Sequence, residues 1–353
     1  MSPLLFTAAS GLAKILFVWG VVLVALLPVL VWVERRGAGL IQDRPGPNRV
    51  GPFGLLQSLA DVIKFFMKED VTPTYADRLL YTAAPLVTMI PALTTFAVIP
   101  FGSYLPLKIG GVLRVIPLVI ADVNIGILYV FALTSVGIYG IVLAGYSSND
   151  KFSMMGGIRS SAQIISYELA MGLSAIGVFL SAGSLRLTTV VEAQRGTYLG
   201  FIPHWNCFAQ IIGCLIFIVS AFAETNRLPF DLPEAEAELV AGYHTEYSAF
   251  KFAMFYMAEY ANLVAASAMI VTLYFGGWSL PGIHFTGVLG GLLSIAVFAV
   301  KTGFFVLVFV WVRWTLPRFR YDQLMDLGWK VFLPGSLVNL VWVAVYVTVR
   351  AAK

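Results

Sequence analysis

The residues with chemical capacity gather in one stretch, Ala221–Tyr247 (AFAETNRLPFDLPEAEAELVAGYHTEY), which holds Glu224, Asp231, Glu234, Glu236, Glu238 and Glu246. Only 12% of the chain is charged, so this is a concentration of acid, and apolar sequence flanks it on both sides. A carboxylate close to a low-dielectric phase raises its pKa or takes up a proton, which makes this a composition suited to proton handling. In a helix, Glu234 and Glu238 share a face at i and i+4 while Glu236 points roughly the other way. Carboxylates that close titrate as a coupled group. A solvated acidic loop is the alternative on spacing alone, and Pro229 and Pro233 around Asp231 make at least the start of the connection non-helical.

Other ionisable residues stand alone in apolar surroundings. Glu168 lies in SAQIISYELAMGL, where the nearest preceding basic residue is Arg159, and Glu259 in FYMAEYANL has no basic residue within a turn. An ionisable group inside a span is costly and faces the bundle interior or a water-filled path, so each reads as a proton-path group or as an interhelical hydrogen bond. Glu224 is followed by Arg227 at i+3, and a local ion pair competes there with a path role. Lys301 has no acid within a turn and needs a partner from another helix, either in an ion pathway or in a buried structural pair. Asp122 reads as a helix cap or as part of a polar path.

Absent motifs narrow the chemistry. There is no GxGxxG, GxxxxGK[ST], CxxC or HExxH, and His204, His244 and His284 are scattered. The chain shows no means of holding a nucleotide, a metal, an iron-sulfur cluster or a haem, so electrons in any redox role arrive from another subunit. Cys207 and Cys214, seven positions apart, read as helix-packing residues.

The elements that must position these groups are helices in a bilayer. With 59% hydrophobic residues and a mean hydropathy of +0.85, the 353-residue chain reads as one integral membrane domain, 1–353, in contact with lipid and not with nucleic acid. Long continuous runs exclude a barrel and give an all-α polytopic protein. Eight runs predict eight transmembrane helices: Leu12–Val33, Leu79–Phe101, Val115–Tyr146, Ala162–Leu185, Phe208–Ala223, Phe250–Phe275, Leu289–Val312 and Val331–Val349. The fifth is short unless it begins near Trp205. The first ends in Glu34, Arg35 and Arg36 rather than a cleavage site, so it reads as a retained span. Fifteen Lys and Arg residues in the odd-numbered connections against seven on the other side, with Lys301 in a span, place the odd connections in the cytoplasm. Both termini are then periplasmic, and the acidic connection, 224–250, is cytoplasmic.

The first connection carries its own element. In Phe53–Met67 (FGLLQSLADVIKFFM), Leu55, Leu56, Leu59, Val62, Ile63 and Phe66 recur at helical spacing, with Asp61, Lys64 and Lys68 elsewhere around the turn. This predicts an amphipathic surface helix over 53–67, lying along the membrane or under a partner. RPGPNRVGP before it is a breaker-rich turn presenting Arg44 and Arg49.

Four motifs together, GPNRVGPFGLLQSLADVIKFFMKED, SSAQIISYELAMGL, RLPFDLPEAEAELVAGYHTEYS and RYDQLMDLGWK, resemble one family: the H subunit, or quinone-chamber membrane subunit, of proton-pumping NADH:quinone oxidoreductase, respiratory complex I. The resemblance runs from about Trp32 to Val349. It implies a translocase component in the bacterial inner membrane that helps form the quinone chamber and couples quinone reduction to proton translocation. Quinone is then the substrate, entering near the first and sixth spans and the surface helix. Iron-sulfur clusters, flavin and NADH belong to partner subunits only. The partners implied are the peripheral-arm iron-sulfur and quinone-site subunits, small membrane subunits and antiporter-like subunits. The implied proton path is Glu224, Glu168 and Glu259, with Asp61, Glu234, Glu236 and Glu238 on the chamber side. The implied chamber or entrance residues are Arg35, Arg36, Phe53, Asp61, Phe230 and Asp231, and no catalytic residue falls on this chain. Some members carry a further Glu in the third span where this chain has Ser135. The competing readings are a membrane subunit of an energy-converting hydrogenase, a stand-alone ion carrier, for which no inverted repeat is visible, and a passive anchor, which leaves the embedded acids without a purpose.

Overall fold

The computed structural model describes residues 3–109, 112–198, 202–233, 236–283, 285 and 287–351. Among the described residues, seven helices are long and apolar enough to cross a membrane: Ser10–Ile41, Arg78–Ala97, Gly126–Ser147, Lys151–Ala182, Ala249–Tyr274, Gly287–Thr315 and Tyr321–Arg350. An eighth apolar helix, Ile211–Glu224, has 14 residues, about 21 Å at 1.5 Å per residue. In chain order these are the first to eighth spans, with Ile211–Glu224 as the fifth. The chain is an all-α polytopic membrane protein.

The fifth span is short because it is broken. A single turn, Asn206–Ala209, precedes it, and Gln210 (φ −134°, ψ 58°) interrupts the helix between them. Cys207 and Cys214 lie on opposite sides of this break as free thiols.

Helix ends follow local chemistry. Asp77 accepts from the Leu79 and Leu80 amides at the start of the second span, and Asp150 accepts from Ser153 N at the start of the fourth. Each satisfies amides that lack an intrahelical acceptor. The fourth span ends at Gly183, whose φ of +68° suits a residue without a Cβ.

The sixth span is the axis of the bundle. Ala258, Ala261, Ala265 and Ala268 alternate with Leu263, Ile270, Val271 and Tyr274 in its buried surface, so neighbouring backbones approach closely. Close approach by small residues is the main way that helices gain dispersion energy in lipid. At Gly156 of the fourth span an added Cβ would come within 2.7 Å of Tyr243 N. The GYHTEYS segment is thereby pressed against the fourth span.

Two segments depart from simple helical reading. The apolar run that begins at Val115 is divided: Tyr104–Ile109 and Val112–Pro117 form an antiparallel hairpin, and the third span starts at Gly126. Pro106 and Pro117 are poor helix residues, and β-branched Val112, Val115 and Ile116 suit strands. Asp122 does not cap the third span; it accepts from Thr188 Oγ1 at 3.0 Å and faces Arg186 at 3.6 Å.

The first connection forms a short 3₁₀ turn, Pro52–Gly54, followed by the surface helix Gln57–Met67. Its apolar set is split between two faces. Ser58, Asp61, Val62 and Phe65 line a cavity, whereas Leu55, Leu59, Ile63 and Phe66 are exposed. The second face presents apolar surface to the bilayer or a neighbour.

Candidate functional site

The acidic connection begins with a turn that aims two successive charges in different directions. Glu224 is the last residue of the fifth span, and Asn226 adopts a left-handed φ of 50°. Gln163 Nε2 donates to Ala223 O at 2.9 Å and to Phe230 O at 2.8 Å, so one buried amide of the fourth span holds both ends of the turn. Glu224 then faces the third and fourth spans, while Arg227 faces the first and sixth.

Arg227 is the centre of a buried ionic cluster. Its Nε donates to Glu259 Oε1 at 2.6 Å and its Nη1 to Glu34 Oε2 at 3.0 Å. Tyr260 donates its hydroxyl to the same Glu34 oxygen at 2.6 Å, and its ring lies 4.1 Å beneath the Arg227 guanidinium. Arg313 of the seventh span binds the other Glu34 oxygen. Burial disfavours the Arg227 charge, but Glu259 and Glu34 outweigh it and raise its pKa, so the guanidinium stays ionised. Asp231, on the same connection, accepts from Arg318 Nη2 at 3.0 Å. Burial pushes the Asp231 carboxyl up to about 6, against the pull of Arg318.

Glu34 also reaches a cavity of about 400 Å³. Leu27, Val31, Phe65, Phe252 and Met257 form its apolar walls, from the first span, the surface helix and the sixth span. Glu34, Tyr260 and Arg313 form one polar patch and Arg35 with Asp61 another. Arg35 donates to Asp61 Oδ2 at 2.5 Å, tying the surface helix to the first span. Ser58 adds a second tie by donating to Pro28 O at 2.8 Å.

A separate acid pair lies across the third span. Ser135 Oγ is 3.0 and 3.1 Å from the two carboxyl oxygens of Glu168, and Thr134 Oγ1 is 3.2 Å from one of them. The Thr134 hydroxyl also donates to Phe131 O at 3.0 Å, and Glu224 lies close enough to feel both Thr134 and Glu168. Thr134, Glu224 and Asn262 border a cavity of about 20 Å³, room for about one water molecule.

A sequence model of the NADH dehydrogenase family matches residues 13–344. The chain is 52% identical over 335 residues to the NADH-quinone oxidoreductase H subunit of Salinibacter ruber, covering 92% of both chains. It is 52% identical over 325 residues to NADH-quinone oxidoreductase subunit 8 of Rhodothermus marinus, covering 90% of this chain and 91% of that one. The H subunit of Rhodospirillum rubrum matches at 50% over 315 residues, 89% of this chain and 87% of the relative. The chain belongs to the family of NADH-quinone oxidoreductase H subunits. It is a multi-pass bacterial membrane protein and a component of an oxidoreductase.

In this family member, Thr134 binds Glu168 and borders one small cavity with Glu224, and Glu259 meets Arg227. Asp61 and Arg35 form one wall of the cavity. Arg36 and Phe53 are not among its walls but are joined to each other: Arg36 Nη1 and Trp32 Nε1 both donate to Phe53 O, and the Arg36 guanidinium lies 5.8 Å over the Phe53 ring. Phe230 packs edge-on against Tyr167 beneath the turn. Glu238 binds Arg159 at 2.6 Å on the surface; Glu236 begins the short helix Glu236–Leu239, and Glu234 lies outside the described residues.

Two sequence readings change. Arg227 does not serve Glu224 as an i+3 partner, because the left-handed Asn226 turns it toward Glu34 and Glu259. Lys301 has no carboxylate partner among the described residues. Its Nζ donates to the carbonyls of Phe275, Gly277 and Ser279 at 2.7–3.0 Å and lies 4.6 Å over the Trp205 ring. A lysine that binds the carbonyls after a helix C-terminus complements its dipole, which makes this a capping contact between the sixth and seventh spans. Sequence reasoning missed Glu34, Tyr260 and Arg313. Glu34 sits in VERR, where charges at a span end read as a topological flank.

Proposed function

We propose that this chain forms the membrane wall of the quinone chamber in an NADH-quinone oxidoreductase and carries carboxyl groups that link quinone reduction to proton movement. The observation that carries this reading is the 400 Å³ cavity, whose apolar walls end on Glu34, Tyr260 and Arg313. Its size lies in the range of small-molecule sites, which combine apolar walls with a few convergent polar groups. A quinone has that character, with an apolar tail and two carbonyl oxygens. Arg313, which keeps N–H groups beyond the one on Glu34, is a donor beside the cavity, and Leu27, Val31 and Phe65 suit an isoprenoid chain. Reduction to quinol takes two electrons and two protons. The electrons come from cofactors on partner subunits: NADH, flavin and iron-sulfur clusters of the peripheral arm.

The ionic cluster supplies the link. Negative charge developing on a bound quinone acts on Arg313 and, through Glu34, on Arg227 and Glu259. Arg227 and Glu224 belong to the same turn, which Gln163 clamps, so a displacement of Arg227 bears on the Glu224–Thr134–Glu168 group. One hydroxyl proton on Thr134 cannot satisfy two carboxylates. A proton held by one acid completes the pair, and its transfer between them needs only a hydroxyl or one water. Glu234, Glu236, Glu238 and Asp231 lie on the connection that faces the chamber subunits, with the odd-numbered connections cytoplasmic and the termini periplasmic. Small membrane subunits and antiporter-like subunits receive the proton path.

The assembled complex tests this by separating two faces of the surface helix. Phe65→Trp narrows the cavity and raises the KM for quinone while the complex still assembles. Ile63→Glu, on the exposed face, costs about 1.5–3 kcal/mol of apolar burial and lowers assembly. If Phe65→Trp leaves quinone kinetics untouched, the cavity is not the quinone path.

A further inference from the structure

A second large cavity lies on the opposite face of the first span. It measures about 360 Å³, and Phe17, Val22, Leu26, Phe298 and Val306 are among its walls. The first span supplies Val22, Leu26 and Leu30 to this cavity and Leu23, Leu27 and Val31 to the one described above, so adjacent residues point into different spaces. The Val21–Leu26 segment of that span is a π-helix, whose wider turn shifts the register of the faces at this point.

Two polar groups break the apolar wall. Lys14 Nζ donates to Val119 O at 3.0 Å, which uses one of the three donors of an ammonium group. Lys14 forms no ion pair among the described residues, and no acidic side chain lines the cavity among them. Thr302 Oγ1 is the second: it is buried, lines the cavity, and makes no hydrogen bond among the described residues. An apolar slot with a cation that has no carboxylate and a hydroxyl without a partner fits an amphiphile with an anionic head and acyl chains. Ester-linked phospholipids have both, and their carbonyl oxygens accept a hydroxyl proton.

We infer that the cleft between the first, sixth and seventh spans is a binding site for an anionic phospholipid, with its phosphate on Lys14 and an acyl chain against Phe17, Phe298 and Val306. A quinone lacks the phosphate that Lys14 would attract. The lipid would brace the first span from the side opposite the first cavity.

The test uses the whole complex in nanodiscs containing a phosphatidylglycerol that bears a photoactivatable group on one acyl chain, with adducts mapped by peptide mass spectrometry. Adducts are expected on the cleft residues of the first and seventh spans. Lys14→Gln should lower them about fivefold, the factor that one basic group contributes toward an anionic lipid, and Lys14→Arg should retain them. Ala299→Phe, which fills the slot without touching Lys14, should lower them too. Equal labelling by a photoactivatable diacylglycerol without phosphate would overturn the proposal, as would labelling unaffected by Lys14→Gln. Loss of the adducts on adding excess quinone, with no effect of added phosphatidylglycerol, would assign the slot to quinone instead. Quinone reductase kinetics measured in parallel keep this outcome separate from failure of the chamber reading.

Discussion

Arg227 Nη1 lies 3.0 Å from Glu34 Oε2, joining two residues 193 positions apart and locking the turn after the fifth span to the end of the first. Both side chains are almost wholly buried. Glu259 and Arg313 complete the group, so two carboxylates stand with two guanidiniums. Charges out of water are tolerated only when paired and hydrogen-bonded, and removing one partner leaves the others uncompensated.

Arg227→Met should therefore destabilise the complex by about 3–5 kcal/mol, the usual cost of breaking a buried ion pair from one side. Arg227→Lys should fall between the parent and Arg227→Met, because an ammonium keeps the charge but not the planar fork that spans Glu34 and Glu259. Thermal denaturation of the purified complexes, with yield as a second readout, measures both. The double variant Arg227→Met with Glu259→Gln should recover part of the loss. Strictly additive losses would mean that the two residues do not share an interaction.

Glu168→Gln should assemble and reduce quinone but translocate fewer protons per quinone, since the amide keeps the shape and loses the exchangeable charge. Ser135→Ala removes a hydroxyl that lies within hydrogen-bonding distance of both Glu168 oxygens and should weaken coupling in the same direction, by less. A proton-to-quinone ratio equal to the parent in both variants would exclude this pair from the path.

Asp231 titrates on the folded protein at about 6, above its ordinary value of 3.8, because burial opposes its charge. A carboxyl whose folded pKa is raised binds protons more tightly when folded. Its contribution to stability is full below the unfolded pKa and is lost as pH rises through about 6. The Asp231→Asn variant lacks this titration. Relative to the variant, the parent should lose stability as pH rises from about 4 to about 6 and then run parallel. Melting temperatures at a series of pH values decide it, and a constant difference across that range would show that Asp231 does not titrate there. His244 runs the other way: burial lowers it to about 4, so it stays neutral in the fold and disfavours folding as pH falls below the ordinary imidazole range.

How much of this is legible in the sequence follows from what kind of signal each feature carries. Spans announce themselves because lipid demands long apolar helices, and lone acids such as Glu168 and Glu259 stand out against that background. Asp61 is visible for the same reason, as a charge on a mostly apolar helix. Partners are not visible, because they come from residues tens to hundreds of positions away. Glu259 has no basic neighbour within a turn, yet Arg227 reaches it across 32 positions. Arg227 misleads toward Glu224 because i+3 spacing implies proximity only while the helix continues, and Asn226 ends it. Lys301 misleads for a related reason: a cation inside a span suggests a carboxylate, whereas helix-end carbonyls satisfy it. The hairpin strands, Tyr104–Ile109 and Val112–Pro117, fall mostly in the connection before the third apolar run, and only Val115–Pro117 overlap that run, which hydropathy alone cannot divide.

We propose that quinone occupies the cavity between the first span, the surface helix and the sixth span. Photolabelling the assembled complex with an azido-quinone, followed by peptide mapping, tests it most directly. Adducts are expected on cavity residues such as Val31, Phe65 and Met257. They should be suppressed by excess unlabelled quinone and reduced in Phe65→Trp. Adducts absent from these three segments, in a complex that still reduces the labelled quinone, would contradict it.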